Sequence, residues 1–237
     1  MTATAIANFV ARMWYGGSSE PLRGSYAAVM DASAVVWTGL PGYILDAGST
    51  HDVIAQVIDV CEAQRPHEDW ERLRALGWDD GAERVAQWLQ ELLRDKPPGP
   101  EVRGLWFGLN NPIDANGQTR ADLYVSGTSE YDPDDEQLEW VFSGIYHPKR
   151  QPAPDCLTEM YRIAYHEDDG LDNDAEWPLA LVFGCVAVAR ALQALDLPST
   201  GWRPAAPAGA VCGFDGGDFI FVGELDAEGF RAAPRVF

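Results

Sequence analysis

Basic residues are scarce in this chain: 17 Lys and Arg stand against 37 Asp and Glu, giving a formal charge of −20 and a pI near 4.3. Such a field repels nucleic-acid backbones and anionic lipid, so neither is expected as a partner. It attracts basic proteins and metal cations, and it also keeps a protein in solution. Histidine is rarer still, with only His51, His67, His147 and His166. There is no H-E-x-x-H and no clustered Cys/His set, so a zinc site would need ligands distant in sequence, and no metal is expected. The phosphate-cradling loops G-x-x-x-x-G-K-[ST] and strand-borne G-x-G-x-x-G are missing, as is the G-x-S-x-G turn of a serine nucleophile. That removes standard nucleotide binding and standard acyl transfer, and no cofactor is expected.

Cysteine pairing is missing too. Cys61, Cys156, Cys185 and Cys212 lie far apart with no C-x-x-C, and they are read as reduced thiols of a cytoplasmic protein. Met1 to Tyr15 has neither a basic n-region nor a continuous apolar h-region, so export through a signal peptide is not expected. The longest apolar run, Trp177 to Ala189, stops after 13 residues at Arg190, which is short for a membrane span and right for a buried helix.

Core-forming residues are plentiful. Hydrophobic residues make up 46% of 237 positions, with 9 Trp, 8 Tyr and 9 Phe, enough apolar surface to offset the entropy of ordering a chain this long. The pattern predicts a short helix over Ala3 to Met13 and a strand at the β-branched stretch Ala34 to Trp37. Ser49 and Thr50 offer caps to a helix whose Val53, Ile54, Val57, Ile58 and Cys61 share a face, with Asp52 at the positive end of its dipole. A second helix is expected over His67 to Leu76. A third starts at Asp79 and Asp80 and buries Val85, Trp88, Leu89 and Leu92. Lys96-Pro97-Pro98-Gly99-Pro100 must end it.

After that stop the period changes from helical to alternating. Leu105, Phe107 and Leu109 form one run and Ala121, Leu123 and Val125 the next, with Asn116-Gly117 suited to the turn between them. Leu138 to Phe142 is read as a third strand. Pro154 and Asp155 open a helix with Leu157, Met160, Tyr161 and Ala164 on one face, and an apolar helix follows from about Pro178 to Leu195. Ala210 to Phe214 and Phe219 to Glu224 flank Asp215-Gly216-Gly217 as a hairpin. The expectation is α+β: an antiparallel sheet, meander plus C-terminal hairpin, packed with several helices. It forms one domain over 1–237, or two lobes: a helix-rich 1–96 and an α+β 101–237.

Two acidic runs stand out. Glu130, Asp132, Asp134, Asp135, Glu136 and Glu139 form one; Glu167, Asp168, Asp169, Asp172, Asp174 and Glu176 form the other, and neither contains Lys or Arg. Neither fits the calcium-loop spacing D-x-[DN]-x-[DN]-G. They read either as solvated loops or as a docking surface for a basic protein, with opposed potentials speeding encounter. Tyr131, Trp140, Tyr165 and Trp177 flank them, the combination of rigid anchor and charged rim found at interfaces, although alternation points Trp140 to the core. Cys156, between His147 and His166, permits a Cys/His pair on paper but also opens an amphipathic helix, where cysteine serves as a small hydrophobe.

Gly104 to Pro112 (G-L-W-F-G-L-N-N-P), Ala121 to Gly127 (A-D-L-Y-V-S-G) and Asn173 to Leu179 (N-D-A-E-W-P-L) resemble segments of uncharacterised acidic bacterial proteins. Some of those are similar to immunity proteins encoded beside polymorphic toxins, and the resemblance runs from about Thr50 onward. It implies an antitoxin that covers a toxin's active site, and it assigns no residue a role. Three functions remain open: an immunity-type protein binding a basic toxin through its acidic loops, an enzyme using carboxylates with His147 or His166, and a DNA mimic inhibiting a nucleic-acid enzyme. Oligomeric state is not readable from these residues.

Overall fold

The computed structural model describes residues 31–112, 119–142, 144–148, 152, 154–166 and 170–236. The helix expected over Ala3 to Met13, the Asn116-Gly117 turn and Glu167 to Asp169 lie outside them.

Chain order begins with four helices: α1 (Ala32–Leu45), α2 (Thr50–Gln64), α3 (Asp69–Arg74) and α4 (Trp78–Asp95). The strand expected at Ala34 to Trp37 is instead the second turn of α1. Val36, Leu40 and Ile44 recur every fourth residue and are buried, and that spacing overrides the strand preference of a short β-branched stretch. α2 begins with a full capping box: Asp52 N–H donates to Ser49 Oγ at 3.0 Å and Ser49 N–H to Asp52 Oδ2 at 3.3 Å. α4 buries Val85, Trp88, Leu89 and Leu92 as its pattern predicts, and ends before Pro97 and Pro98.

One mixed sheet follows, in the order β3-β2-β1-β4-β5-β6. Its strands are β1 (Gly104–Asn110), β2 (Asp122–Thr128), β3 (Gly144–Tyr146), β4 (Ala208–Phe214), β5 (Phe219–Asp226) and β6 (Gly229–Arg235). Between β3 and β4 come α5 (Asp155–Ala164), α6 (Asn173–Gln193) and the short α7 (Leu197–Thr200). The α+β expectation holds and the wholly antiparallel one does not. Four of the five strand pairs are antiparallel, while β1 runs parallel to β4 because the chain returns to the sheet through α6. The strand expected at Leu138 to Phe142 is also corrected. Glu139–Phe142 is a single 3-10 turn, and the meander closes with β3 just beyond it.

α6 is the organising element. It is the one described helix long and apolar enough to cross a membrane, yet 89% of its apolar window is buried inside the protein, against α4, α2, α1 and the sheet. Leu105, Phe107 and Leu109 of β1 and Ala210 and Cys212 of β4 face it, in a core that runs from Val36 to Leu225 and takes in residues on both sides of Lys96 to Pro100. The alternate residues Trp106 and Val211 point to the other face. With Tyr131, Leu138, Trp140, Val141 and Phe221 they form a second, smaller cluster. Helices cover one face of the sheet, and the segment after β2 covers part of the other. The candidate site is on that second face.

Candidate functional site

On the second face, Gly104 and Gly209 stand where side chains would obstruct the covering segment. Gly104 pairs with Gly209 across the parallel β1–β4 ladder, and Gly108 with Gly213. Over the first pair lie two rings: a Cβ on Gly209 would sit 2.5 Å from Tyr131 Cε2 and 2.9 Å from Trp140 Cη2. Tyr131 meets Trp140 edge-on at 5.1 Å and stacks on Phe221 at 6.1 Å; its hydroxyl donates to Glu224 Oε1 at 2.5 Å. Burial, reinforced by that bond, pushes the Tyr131 phenol well above its ordinary value. Arg235 of β6 lies over the Phe221 ring at 4.2 Å and donates to Pro133 O at 2.9 Å, tying the acidic loop to the sheet by its backbone.

Two aspartates shape that loop. Asp132 Oδ1 accepts from Asp134 N–H at 2.9 Å; the Asp135 carboxylate accepts from Gln137 N–H at 2.9 Å and Glu139 N–H at 2.8 Å, which starts the 3-10 turn. Glu130, Asp132, Asp134, Glu136 and Glu139 are exposed and Asp135 is half-exposed. Among the described residues none of these six carboxylates enters an ion pair. Glu130, Asp132, Asp135 and Glu139 ring an open cleft of about 740 Å³, with Arg103, Ser129, Tyr131 and Trp140 completing its lining. Arg103 Nε and Trp140 Nε1 are buried and find no acceptor among the described residues.

Beside this loop Phe142 is 66% exposed, resting on Trp106 (6.4 Å) and Phe219 (6.0 Å), which themselves meet edge-on at 5.5 Å. Ile145 on the edge strand β3 is 49% exposed. Trp106 Nε1 donates to Tyr124 OH (2.9 Å), which donates to Asp215 Oδ1 (2.6 Å), and the Tyr124 phenol is pushed up to about 12, mainly by burial. Of the aromatics that the sequence offered as interface anchors, Tyr131 and Trp140 are core residues. Trp177 is tied to Asp218 at 2.8 Å and packs on Trp37, and Tyr165 is partly exposed. Phe142, read from the sequence as the end of the Leu138 to Phe142 strand, is the more exposed at 66%, against 41% for Tyr165.

Of the second acidic run Asp172, Asp174 and Glu176 are described, at the opposite end of β1, and Glu176 is drawn inward. Asp174 pairs with Arg65 at 2.5 Å, and Arg65 also donates to Gly170 O (2.7 Å) and Leu171 O (3.1 Å). Glu176 is buried, accepting from Asn111 Nδ2 and, at 2.5 Å, from Tyr165 OH. Burial and then that carboxylate hold the Tyr165 phenol far above its usual range. Asp172, at a positive φ of 48°, is exposed. Asp174 and Glu176 fasten α6 to its neighbours.

The histidines divide. His147 is exposed with Nε2 3.1 Å from Gly144 O, whereas His166 and His67 converge on Asp69 of α3. Asp69 is 1% exposed; its Oδ1 takes Arg72 at 2.5 Å, while its Oδ2 has no hydrogen-bond partner among the described residues and lies 3.4 Å from His67 Nδ1 and 3.7 Å from His166 Nδ1. His166 Nδ1 faces Ile163 O at 2.7 Å and Nε2 faces Arg72 at 3.2 Å; His67 Nδ1 accepts from Asp69 N–H at 3.2 Å. The Arg72 contact to His166 Nε2 joins α3 to the end of α5. Cys156 is buried against Gly81 with its thiol pushed up to about 12 by desolvation, a protonated packing group. No set of three or more His, Cys, Asp or Glu side chains able to hold a metal occurs among the described residues. No family model, curated protein or solved structure matches the chain.

Proposed function

We propose that the protein is a protein-binding module of the immunity type, docking a basic partner on the sheet face that the helices leave uncovered. The observation that carries the reading is Phe142, 66% exposed on a platform of Trp106 and Phe219, next to a loop whose six carboxylates have no cationic partner among the described residues. An aromatic anchor within a charged rim is the arrangement from which interfaces draw affinity and encounter rate. The first acidic run supports this use because its backbone is pinned by Arg235 and its own aspartates, so the charges are presented at little further entropic cost.

A DNA mimic draws on the same charge but calls for carboxylates spaced along one face, and the first run is folded into a single loop. The enzyme reading rests on Asp69 with His67 and His166, where a buried carboxylate oxygen is unpartnered.

The test is co-expression with the product of each gene flanking its own, followed by isothermal titration of any complex. The expected result is a salt-sensitive complex that Phe142→Ala weakens by about 2 kcal/mol, as for an interface anchor, with an unchanged unfolding midpoint. A complex indifferent to both salt and Phe142→Ala would refute this docking face.

A further inference from the structure

Resting on the docking reading above, we infer that Phe142 and Glu139 together receive one arginine side chain of the partner, its guanidinium flat on the exposed ring and its N–H groups on the carboxylate. Glu139–Phe142 is the 3-10 turn that ends the acidic loop. Residues three apart eclipse in such a turn, about 6 Å apart along its axis, so Glu139 and Phe142 share one side of it. Burial follows that period: Trp140 and Val141 between them are buried, whereas Glu139 and Phe142 are exposed. The turn is also fixed in rotation, with Trp140 packed over Gly104 and Gly209 and Asp135 Oδ2 accepting from Glu139 N–H at 2.8 Å.

Among the described residues Glu139 enters no ion pair and no cation lies over the Phe142 ring. The same sheet shows how a phenylalanine is covered when an arginine is at hand. Arg235 lies over the Phe221 ring at 4.2 Å and still donates from Nη1 to Pro133 O at 2.9 Å. Stacking uses the flat face of a guanidinium and leaves the N–H groups on its edge for an oxygen acceptor. Phe142 and Glu139 offer the same two components, a ring face and an oxygen acceptor, and here the acceptor is charged.

Other occupants match only part of this pair. A phosphate or carboxylate would meet Glu139 with like charge. An apolar side chain would cover Phe142 and strip water from Glu139 without pairing it. Lysine reaches the carboxylate, but its ammonium is more strongly hydrated and has no flat face to lay on a ring. Trp106 and Phe219 back the Phe142 ring at 6.4 and 6.0 Å, so the platform is set before an arginine arrives and little order is lost in binding it.

The full chain, with its phenylalanine rings labelled with ¹³C, is titrated at low salt while the Phe142 signals are followed, assigned by their loss in Phe142→Leu. The probes are blocked glycine–arginine–glycine, its lysine counterpart, and its citrulline counterpart, which keeps the planar shape without the charge. The arginine peptide should move the Phe142 signals saturably, in roughly the millimolar range of a single side chain. Lysine should bind about tenfold more weakly, and citrulline should leave the signals in place. Glu139→Gln should weaken the arginine peptide about fivefold, whereas Glu228→Gln, which removes the same charge from the exposed β5–β6 turn, should change it less than about twofold. Equal affinities for arginine and lysine, equal effects of Glu139→Gln and Glu228→Gln, or Phe142 signals unmoved by about 100 mM arginine peptide overturns the inference. Its failure is distinct from that of the docking face. A folded partner that loses affinity on Phe142→Ala, although the arginine peptide never moves the Phe142 ring, keeps the docking face and removes the arginine receptor. A folded partner indifferent to Phe142→Ala removes the docking face, and the peptide titration then decides the receptor by itself.

Discussion

Replacing Gly209 by alanine tests whether the acidic loop is seated on the sheet as described. The added Cβ would lie 2.5 and 2.6 Å from Tyr131 Cε2 and Cδ2 and 2.9 Å from Trp140 Cη2, where carbon atoms prefer about 3.5–4.0 Å. Neither ring can simply swing away. Tyr131 is held by Phe221 on its face, Trp140 on its edge and Glu224 at its hydroxyl, and both rings are more than nine-tenths buried. Overpacking of this kind costs about 1–3 kcal/mol, and the lower entropy of an unfolded alanine returns about 0.4–1 kcal/mol, leaving a net loss of about 1–2 kcal/mol. For a chain of this size that lowers the melting midpoint by about 2–8 °C. Urea unfolding followed by circular dichroism should show a lower midpoint at unchanged slope. Gly216→Ala, in the β4–β5 turn with nothing near its Cβ position, is the control and should change stability by less than about 1 kcal/mol. In a Tyr131→Ala background most of the Gly209→Ala cost should vanish, because the clash has lost its main partner. A Gly209→Ala protein as stable as the parent would refute the seating of Tyr131 and Trp140 on this glycine pair.

Acid titration should separate two carboxylates of opposite sign. The Tyr131 hydroxyl, then Arg231, hold Glu224 below the ordinary range, so its stabilisation is present above pH 4.5 and is lost as pH falls through the lower folded value; Glu224→Gln should destabilise at neutral pH, and the difference should shrink in acid. Burial raises Asp122 above 3.8, so its contribution is full below that pH and is lost as pH rises through the folded value; Asp122→Asn should therefore stabilise at neutral pH. Arg65→Ala removes donors to Gly170 O, Leu171 O and Asp174 and should cost about 1–3 kcal/mol in urea unfolding, since it strands two carbonyls. A water-soluble maleimide should label none of Cys61, Cys156, Cys185 and Cys212 in the folded protein and all four after unfolding, because each is buried and the Cys61 and Cys156 thiols are pushed up to about 12.

Where local chemistry decides the structure, the sequence was readable. The Ser49/Asp52 cap and the stripe of α4 lie in contiguous segments, and both elements start where those residues place them. The misread segments are those decided by partners remote in the chain. Ala34 to Trp37 carries a strand-like composition, and its helical state shows only in the wider spacing of Val36, Leu40 and Ile44 against α6. The turn at Glu139 is set by one carboxylate, Asp135, accepting backbone N–H groups, which leaves no periodicity to detect. β6 was not read as a strand, because G-F-R-A-A-P-R carries a proline and two arginines, residues that an edge strand tolerates. In the candidate site the charge density of Glu130 to Glu139 was legible, but the exposure of Phe142 was not, since an aromatic next to Trp140 and Val141 reads as core. The meeting of Asp69 with His166 joins segments nearly a hundred residues apart and could have been found only in three dimensions.

The parallel pairing of β1 with β4 bears on how the molecule is made. Gly104 and Gly209 are more than 100 residues apart in the chain, so the two central strands of the sheet cannot register until α6 has been synthesised and has turned back. Until β4 leaves the ribosome, β1 has one open side and an apolar row with nothing to cover it, and long-range pairing of this kind is slow to nucleate. Chains truncated before β4 should thus depend on chaperones for solubility more than the full chain does.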